Sequence, residues 1–120
     1  MIKGIGTDII ELSRIEEIIT KQAKFVDRIL TSNEKLKYET LSGKRKVEFL
    51  AGRFAAKGSF SKANGTGIGK ELSFLDIEIE ADLLGRPFFS QPKTRAHLSI
   101  SHSRDYAVAQ VIIEEEPVNG

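Results

Sequence analysis

Apolar residues recur along this chain in two rhythms, and the change of rhythm outlines the architecture. Between about Lys44 and Ala63, the residues Val47, Leu50, Ala51, Phe54, Ala55 and Gly58 fall at i, i+3, i+4, i+7, i+8 and i+11. That spacing lays one stripe along a helix. Asn64-Gly65-Thr66-Gly67-Ile68-Gly69 ends it, because closely spaced glycines favour a loop. Beyond the loop the period falls to two. Leu75, Ile77 and Ile79 alternate with Asp76, Glu78 and Glu80, which predicts a half-buried strand. Leu84-Gly85-Arg86-Pro87 reads as a turn, Phe88-Phe89 opens a short strand that Pro92 stops, and His97–Ser101 and Tyr106–Ile113 are two more strands around Ser103-Arg104-Asp105.

The first third is less regular. Ile2 to Ile10 is β-like and glycine-spaced, with the strand expected to end near Asp8. Ser13-Arg14-Ile15-Glu16 fits a capping box with Ser13 at the N-cap, followed by a short helix burying Ile15, Ile18 and Ile19. Thr31-Ser32-Asn33-Glu34 fits a second box, opening a helix through about Tyr38. One leading strand, then helices, then antiparallel strands make an α+β pattern, in which one long helix packs on an antiparallel sheet.

Length sets this as a single domain over 1–120, with about 115–120 as a fraying tail. Charged residues are 29% and hydrophobic ones 40%, a balance that suits a folded domain and not a disordered chain. Lys+Arg is 18 against Asp+Glu 17, so a generally basic nucleic-acid coat is excluded and no nucleic-acid partner is expected. Cysteine is absent, which removes disulfides and thiolate chemistry and suits a cytoplasmic setting. No apolar run approaches the roughly 20 residues of a membrane span, and no membrane partner is expected.

The chemistry-bearing residues are cations and one early acid. Lys44, Arg45, Arg53, Lys57 and Lys62 spread along the long helix, Lys57 and Ser61 lie i, i+4, and the glycine loop follows with its N–H groups. Together these suit a phosphate ester, the alternative being a solvated helix face. Arg14, Lys21, Lys24 and Arg28, with Phe25 among them, form a second basic strip that suits an acidic protein or serves only solubility. Asp8 follows Gly4-x-Gly6, where one carboxylate either ligates a hard cation or caps a turn. His102 closes Ser99-Ile100-Ser101-His102, where histidine is more often hydrogen-bonded structure than catalyst. Gly52 to Ser59 places glycine and lysine in the wrong order for a phosphate-binding loop, and Gly65-x-Gly67-x-Gly69 lacks dinucleotide-binding spacing.

In order, three segments resemble the holo-acyl-carrier-protein synthases, the small bacterial 4′-phosphopantetheinyl transferases. They are Gly4-Ile5-Gly6-Thr7-Asp8-Ile9-Ile10-Glu11, then Arg53-Phe54-Ala55-Ala56-Lys57 with Phe60-Ser61-Lys62-Ala63-Asn64-Gly65-Thr66-Gly67, then Ser99-Ile100-Ser101-His102-Ser103. The resemblance implies a homotrimer that binds coenzyme A between subunits. It implies transfer of the phosphopantetheine arm to a serine of apo acyl carrier protein in fatty acid biosynthesis, with release of 3′,5′-ADP. By the same resemblance Asp8 ligates Mg²⁺, and Lys57, Ser61 and Lys62 face the phosphates with Asn64, Gly65 and Thr66. Lys44, Arg45 and Arg53 hold the nucleotide end and its 3′-phosphate, His102 lies near the adenosine, and Arg14, Lys21, Lys24, Phe25 and Arg28 dock the carrier protein.

One departure falls in the reaction centre. After Ala56-Lys57 the family pattern places Glu-Ala, and this chain has Gly58-Ser59. Glycine inside a helix costs about 1 kcal/mol relative to alanine, and by the resemblance the glutamate missing here is the second carboxylate for Mg²⁺. Glu48 lies ten residues earlier, nearly three turns away and roughly 80° off in rotation, so it does not replace it. The alternative reading that Gly58 motivates is a protein that captures coenzyme A and carrier protein without transfer.

Overall fold

The computed structural model describes residues 1–117. Its elements run β1 (Ile2–Glu11), α1 (Leu12–Lys21), α2 (Phe25–Ile29), α3 (Ser32–Glu39), α4 (Gly43–Asn64), a 3₁₀ turn (Phe74–Asp76), β2 (Glu78–Ala81), β3 (Pro87–Gln91), β4 (Ala96–His102) and β5 (Tyr106–Glu114). The α+β class and the long helix match the sequence reading. The strands form two antiparallel sheets, β1-β5-β4 and β2-β3.

Alternation fixes which face of the larger sheet is covered. On one face β1 and β5 pair Gly4 with Ile113, Gly6 with Val111, Asp8 with Ala109 and Ile10 with Ala107. The β5 residues of this face are fully buried under α4. The opposite face pairs Ile5 with Ile112 and Ile9 with Val108, and leaves Ile5 and Ile9 exposed. Gly4 and Gly6 explain how α4 lies so close. A β-carbon at Gly4 would collide with the Ala63 carbonyl, and one at Gly6 with that of Ser59. Only glycine lets the strand backbone touch the helix backbone there.

Three local expectations change. β1 runs on to Glu11, so Asp8 lies within the strand and not at its end. The N-cap of α1 is then Glu11, without a side-chain cap, and the Ser13 box does not form. The Thr31–Glu34 box does form. The strand expected from Leu75 starts only at Glu78, because Ser73 and Asp76 cap a 3₁₀ turn that leaves Leu75 half exposed. Of the expected frayed tail, Glu115 is held. Its N–H donates to the Met1 carbonyl at 2.8 Å, and its own carbonyl accepts from Arg95 Nη1 at 3.2 Å. Residues 118–120 lie outside the described residues.

Candidate active site

The contact between β1 and α4 brings two of the expected residues together. Asp8 is carried on the helix-facing side of β1, and its carboxylate is one-quarter exposed. Its Oδ1 accepts the Ile9 N–H at 3.1 Å and faces Lys62 Nζ at 3.4 Å. Lys62, on the last turn of α4, also donates to the Thr7 carbonyl at 3.1 Å and remains about half exposed. An acid and a half-exposed ammonium thus share one solvent-accessible point.

Gly58 borders the same point. A β-carbon built there would collide with Asp8 Oδ2, with Asp8 Cγ at 3.4 Å. The carboxylate has settled into space that any other side chain would occupy. Among the described residues no three His, Cys, Asp or Glu side chains converge on one point. Mg²⁺ is commonly held by one or two carboxylates together with water and substrate phosphates. Asp8 therefore fits a divalent cation whose remaining ligands come from a diphosphate and water.

Lys57 corrects the sequence reading. Its ammonium is fully buried and donates to the Ile29 carbonyl at 2.6 Å, to Glu34 Oε1 at 2.6 Å and to the Phe74 carbonyl at 3.0 Å. All three hydrogens are used, so no donor is left for a phosphate. Burial pulls its pKa below the ordinary lysine value, and the Glu34 carboxylate opposes that shift. Glu34 in turn accepts from the N–H of Thr31 at 2.8 Å and of Ile79 at 2.9 Å. This ion pair ties α4 to α2, α3, the 3₁₀ turn and the start of β2. A sequence signal existed for it: Lys57 is i+7 from Leu50 and i+3 from Phe54, on the apolar stripe.

The loop after α4 is likewise committed. Ser61 is buried and its hydroxyl donates to the Gly58 carbonyl at 2.7 Å. The N–H groups of Gly65, Thr66 and Gly67 all turn back onto the Ser61 carbonyl, at 3.1–3.2 Å. Asn64 Nδ2 donates to Thr66 Oγ1 at 3.3 Å. Gly65, at φ 86°, supplies the left-handed cap. These N–H groups close the helix, and the anion cradle expected from the glycines is not formed by them.

Arg45 and Arg53, on the first half of α4, meet His102 from β4. Arg45, Arg53 and His102, with Lys37, Glu48 and Phe49, line a cavity of about 250 Å³. Arg53 lies 4.2 Å over the Phe49 ring, and burial lowers its pKa. Among the described residues its Nε is buried without a hydrogen-bond partner. His102 Nε2 lies 3.0 Å from the Glu48 carbonyl, and Gly52 makes room for the ring. Lys44 lines a separate cavity with Ser13 and Arg104. Lys44 and Lys62 are about 27 Å apart along the helix axis, at 1.5 Å per residue. One chain therefore does not bring Lys44 and Arg45 to Asp8.

The second basic strip lies on α1 and α2. Arg14, Lys21, Lys24 and Arg28 are all exposed, and Lys21 also pairs with Glu17 at 2.7 Å in solvent. Phe25 packs on Phe54, with centroids 6.0 Å apart, and Phe54 stacks on Phe74 at 5.4 Å. That half-buried aromatic row beside the strip was not foreseen from the sequence, because its members lie on three elements.

Comparison with known proteins places this arrangement. A family model described as the 4′-phosphopantetheinyl transferase superfamily matches residues 4–111. The holo-[acyl-carrier-protein] synthase of Anoxybacillus flavithermus is 58% identical over 116 residues, covering 95% of this chain and 97% of that one. Its counterpart in a Geobacillus strain is 61% identical over 116 residues, covering 95% and 98%. The crystal structure of a holo-(acyl-carrier-protein) synthase from Bacillus anthracis in complex with CoA (3′,5′-ADP) superposes with a TM-score of 0.91 at 56% identity, covering 97% of this chain and 99% of that one. The Helicobacter pylori synthase in complex with coenzyme A gives 0.82 at 35% identity, covering 92% and 99%. On this evidence the chain belongs to the 4′-phosphopantetheinyl transferase superfamily and, within it, to the holo-[acyl-carrier-protein] synthases.

Proposed function

We propose that this protein transfers the 4′-phosphopantetheine arm of coenzyme A to a serine of apo acyl carrier protein in the cytoplasm, serving fatty acid biosynthesis. The observation that carries the reading is the Asp8–Lys62 pair, held 3.4 Å apart by a strand and a helix in a fold so close to a synthase bound to coenzyme A. In the reaction the serine oxygen bonds to the phosphorus that carries pantetheine. The bond from that phosphorus to the bridging oxygen breaks, and 3′,5′-ADP leaves with the electron pair. The serine proton is lost to a base or to water. Charge grows on the leaving phosphate, so catalysis rests on positioning and on cations. Lys62 is the cation beside Asp8 that reaches solvent, and it would counter that charge by exchanging its contacts to Thr7 and Asp8 for the phosphate. Asp8 would hold Mg²⁺, which when bound screens the diphosphate. Lys57 acts from behind, as a positioning residue.

Arg45, Arg53 and His102 are suited to the nucleotide end, and the buried unpartnered Arg53 Nε supports a polar ligand beside it. Since Arg45 stands about 26 Å from Lys62 along the same helix, at 1.5 Å per residue, we assign each complete site to two chains. The exposed apolar face of β1 and β5, with Ile5 and Ile9, supports burial against further copies in a homotrimer. Arg14, Lys24 and Arg28 would meet the acidic carrier protein. The test is mass spectrometry of apo carrier protein incubated with this protein, coenzyme A and graded Mg²⁺. Gain of one phosphopantetheine is expected, and no gain at any Mg²⁺ concentration would overturn the assignment.

A further inference from the structure

We infer that this chain has no freestanding metal site and takes up its divalent cation only on the diphosphate of coenzyme A, because Gly58 lets the Asp8 carboxylate turn in against α4 while Lys62 partly neutralises it. The inference rests on the transferase reading and adds an obligatory order to it.

Three observations carry it. First, Asp8 joins no three-residue cluster of His, Cys, Asp or Glu side chains among the described residues. Second, Asp8 Oδ2 lies against the Gly58 backbone, in space that a β-carbon would fill. A side chain at 58 would force the carboxylate outward. Third, Asp8 Oδ1 already has two donors, the Ile9 N–H and the Lys62 ammonium. A cation approaching the free protein therefore meets one carboxylate that is turned inward and partly neutralised. A diphosphate changes this balance in two ways. It offers oxygens to the cation, and it offers Lys62 an alternative anionic partner, which releases Asp8. Lys62 is then a competitor of the metal in the free protein and a ligand of the phosphate in the complex.

Binding linkage makes the inference measurable. If coenzyme A raises the affinity for the cation by some factor, the cation raises that for coenzyme A by the same factor. The experiment uses Mn²⁺ as probe. Water-proton relaxation reports Mn²⁺ held by the full-length protein alone, with coenzyme A, or with 3′,5′-ADP, which lacks the diphosphate. Calorimetry of coenzyme A with and without Mn²⁺ gives the reciprocal term. Enhancement is expected only when protein and coenzyme A are both present, with coupling near the top of the usual range of about 5–150-fold. Gly58→Glu and Lys62→Gln are each expected to restore Mn²⁺ binding to the free protein, the first by adding a ligand and the second by removing the competitor. Mn²⁺ binding of equal strength with and without coenzyme A, in a protein that does bind coenzyme A, would overturn the inference and leave the transferase reading standing. Failure to bind coenzyme A under every condition would overturn both.

Discussion

Replacing Lys57 by methionine separates a buried structural cation from a phosphate-binding one. The substitution nearly keeps the volume and removes the charge. It leaves the Glu34 carboxylate buried with two N–H donors, from Thr31 and Ile79, and strips a donor from the carbonyls of Ile29 and Phe74. Breaking one side of a buried ion pair costs about 3–5 kcal/mol. Domains are stable by only about 5–15 kcal/mol, so this is a large share. With an unfolding entropy of about 0.25 kcal/mol/K for a chain of this length, the melting temperature should fall by about 12–20 °C.

Urea unfolding followed by circular dichroism reads the loss, and calorimetry with coenzyme A on the folded variant reads the ligand. The expected result is a large stability loss, with coenzyme A still bound below the lowered melting temperature. Adding Glu34→Gln should return part of the stability, since glutamine keeps an acceptor and removes the uncompensated charge. The coupling should exceed the roughly 0.5 kcal/mol within which independent sites add. A Lys57→Met protein of unchanged stability that no longer binds coenzyme A would refute the burial argument and return Lys57 to the phosphates.

Stability should fall in acid. Thr31 above all holds the Glu78 pKa below its ordinary 4.5, and Asp76, Asp82 and Glu114 are lowered by Ser73, Arg86 and His97 respectively. The unfolded chain then binds more protons than the folded one, so the stabilisation present above about pH 4.5 is lost as pH drops through the folded values; urea midpoints from pH 6 to 3 check this, and Glu78→Gln should flatten the decline. Gly6→Ala should cost more than about 2 kcal/mol and reduce transfer, because the new methyl meets the Ser59 carbonyl and nothing flexible can yield; unchanged chemical denaturation would contradict the close contact. Arg14→Glu or Lys24→Glu should weaken carrier-protein affinity and its salt dependence, since exposed charges are screened beyond about 10 Å at 0.1 M salt, and titrations at several ionic strengths decide. Ile9→Glu should lower the mass seen by light scattering, because it puts a charge into the apolar sheet face that we assign to the trimer contact.

Much of the fold was legible because α4 and the later strands carry their periods openly. The misreadings have specific causes. Ser13 and Thr31 both head acceptable capping boxes, but hydrogen bonding decides between them. β1 keeps pairing with β5 as far as Glu11, and the Leu12 N–H then bonds the Asp105 carbonyl, so the helix begins before Ser13 can cap it. α2 has five residues, too few to show a period. In the site, packing brings Asp8 and Lys62 within 3.4 Å of each other, whereas Lys57, which the resemblance set at the phosphates beside Lys62, lies on the apolar stripe and is buried against Glu34. Glycines that looked like an anion cradle cap the helix instead, and only the direction of their N–H groups distinguishes the two.

The glycines also explain why position 58 is more than a deleted ligand. Gly4 and Gly6 bring β1 against α4, and that closeness is what lets an acid on a strand meet a lysine on a helix. At Gly58 the same closeness is filled from the strand side, by the Asp8 carboxylate itself. Restoring a side chain there thus acts on two terms of opposite sign. It pushes Asp8 outward, away from the helix backbone, which costs packing, and it frees that carboxylate for a cation. Gly58→Ala produces both terms without adding a ligand, and Gly58→Glu adds a carboxylate to them. Binding of Mn²⁺ to the free protein should rise modestly in the alanine variant and strongly in the glutamate variant. Equal effects would mean that the position of Asp8, and not the count of carboxylates, limits the metal.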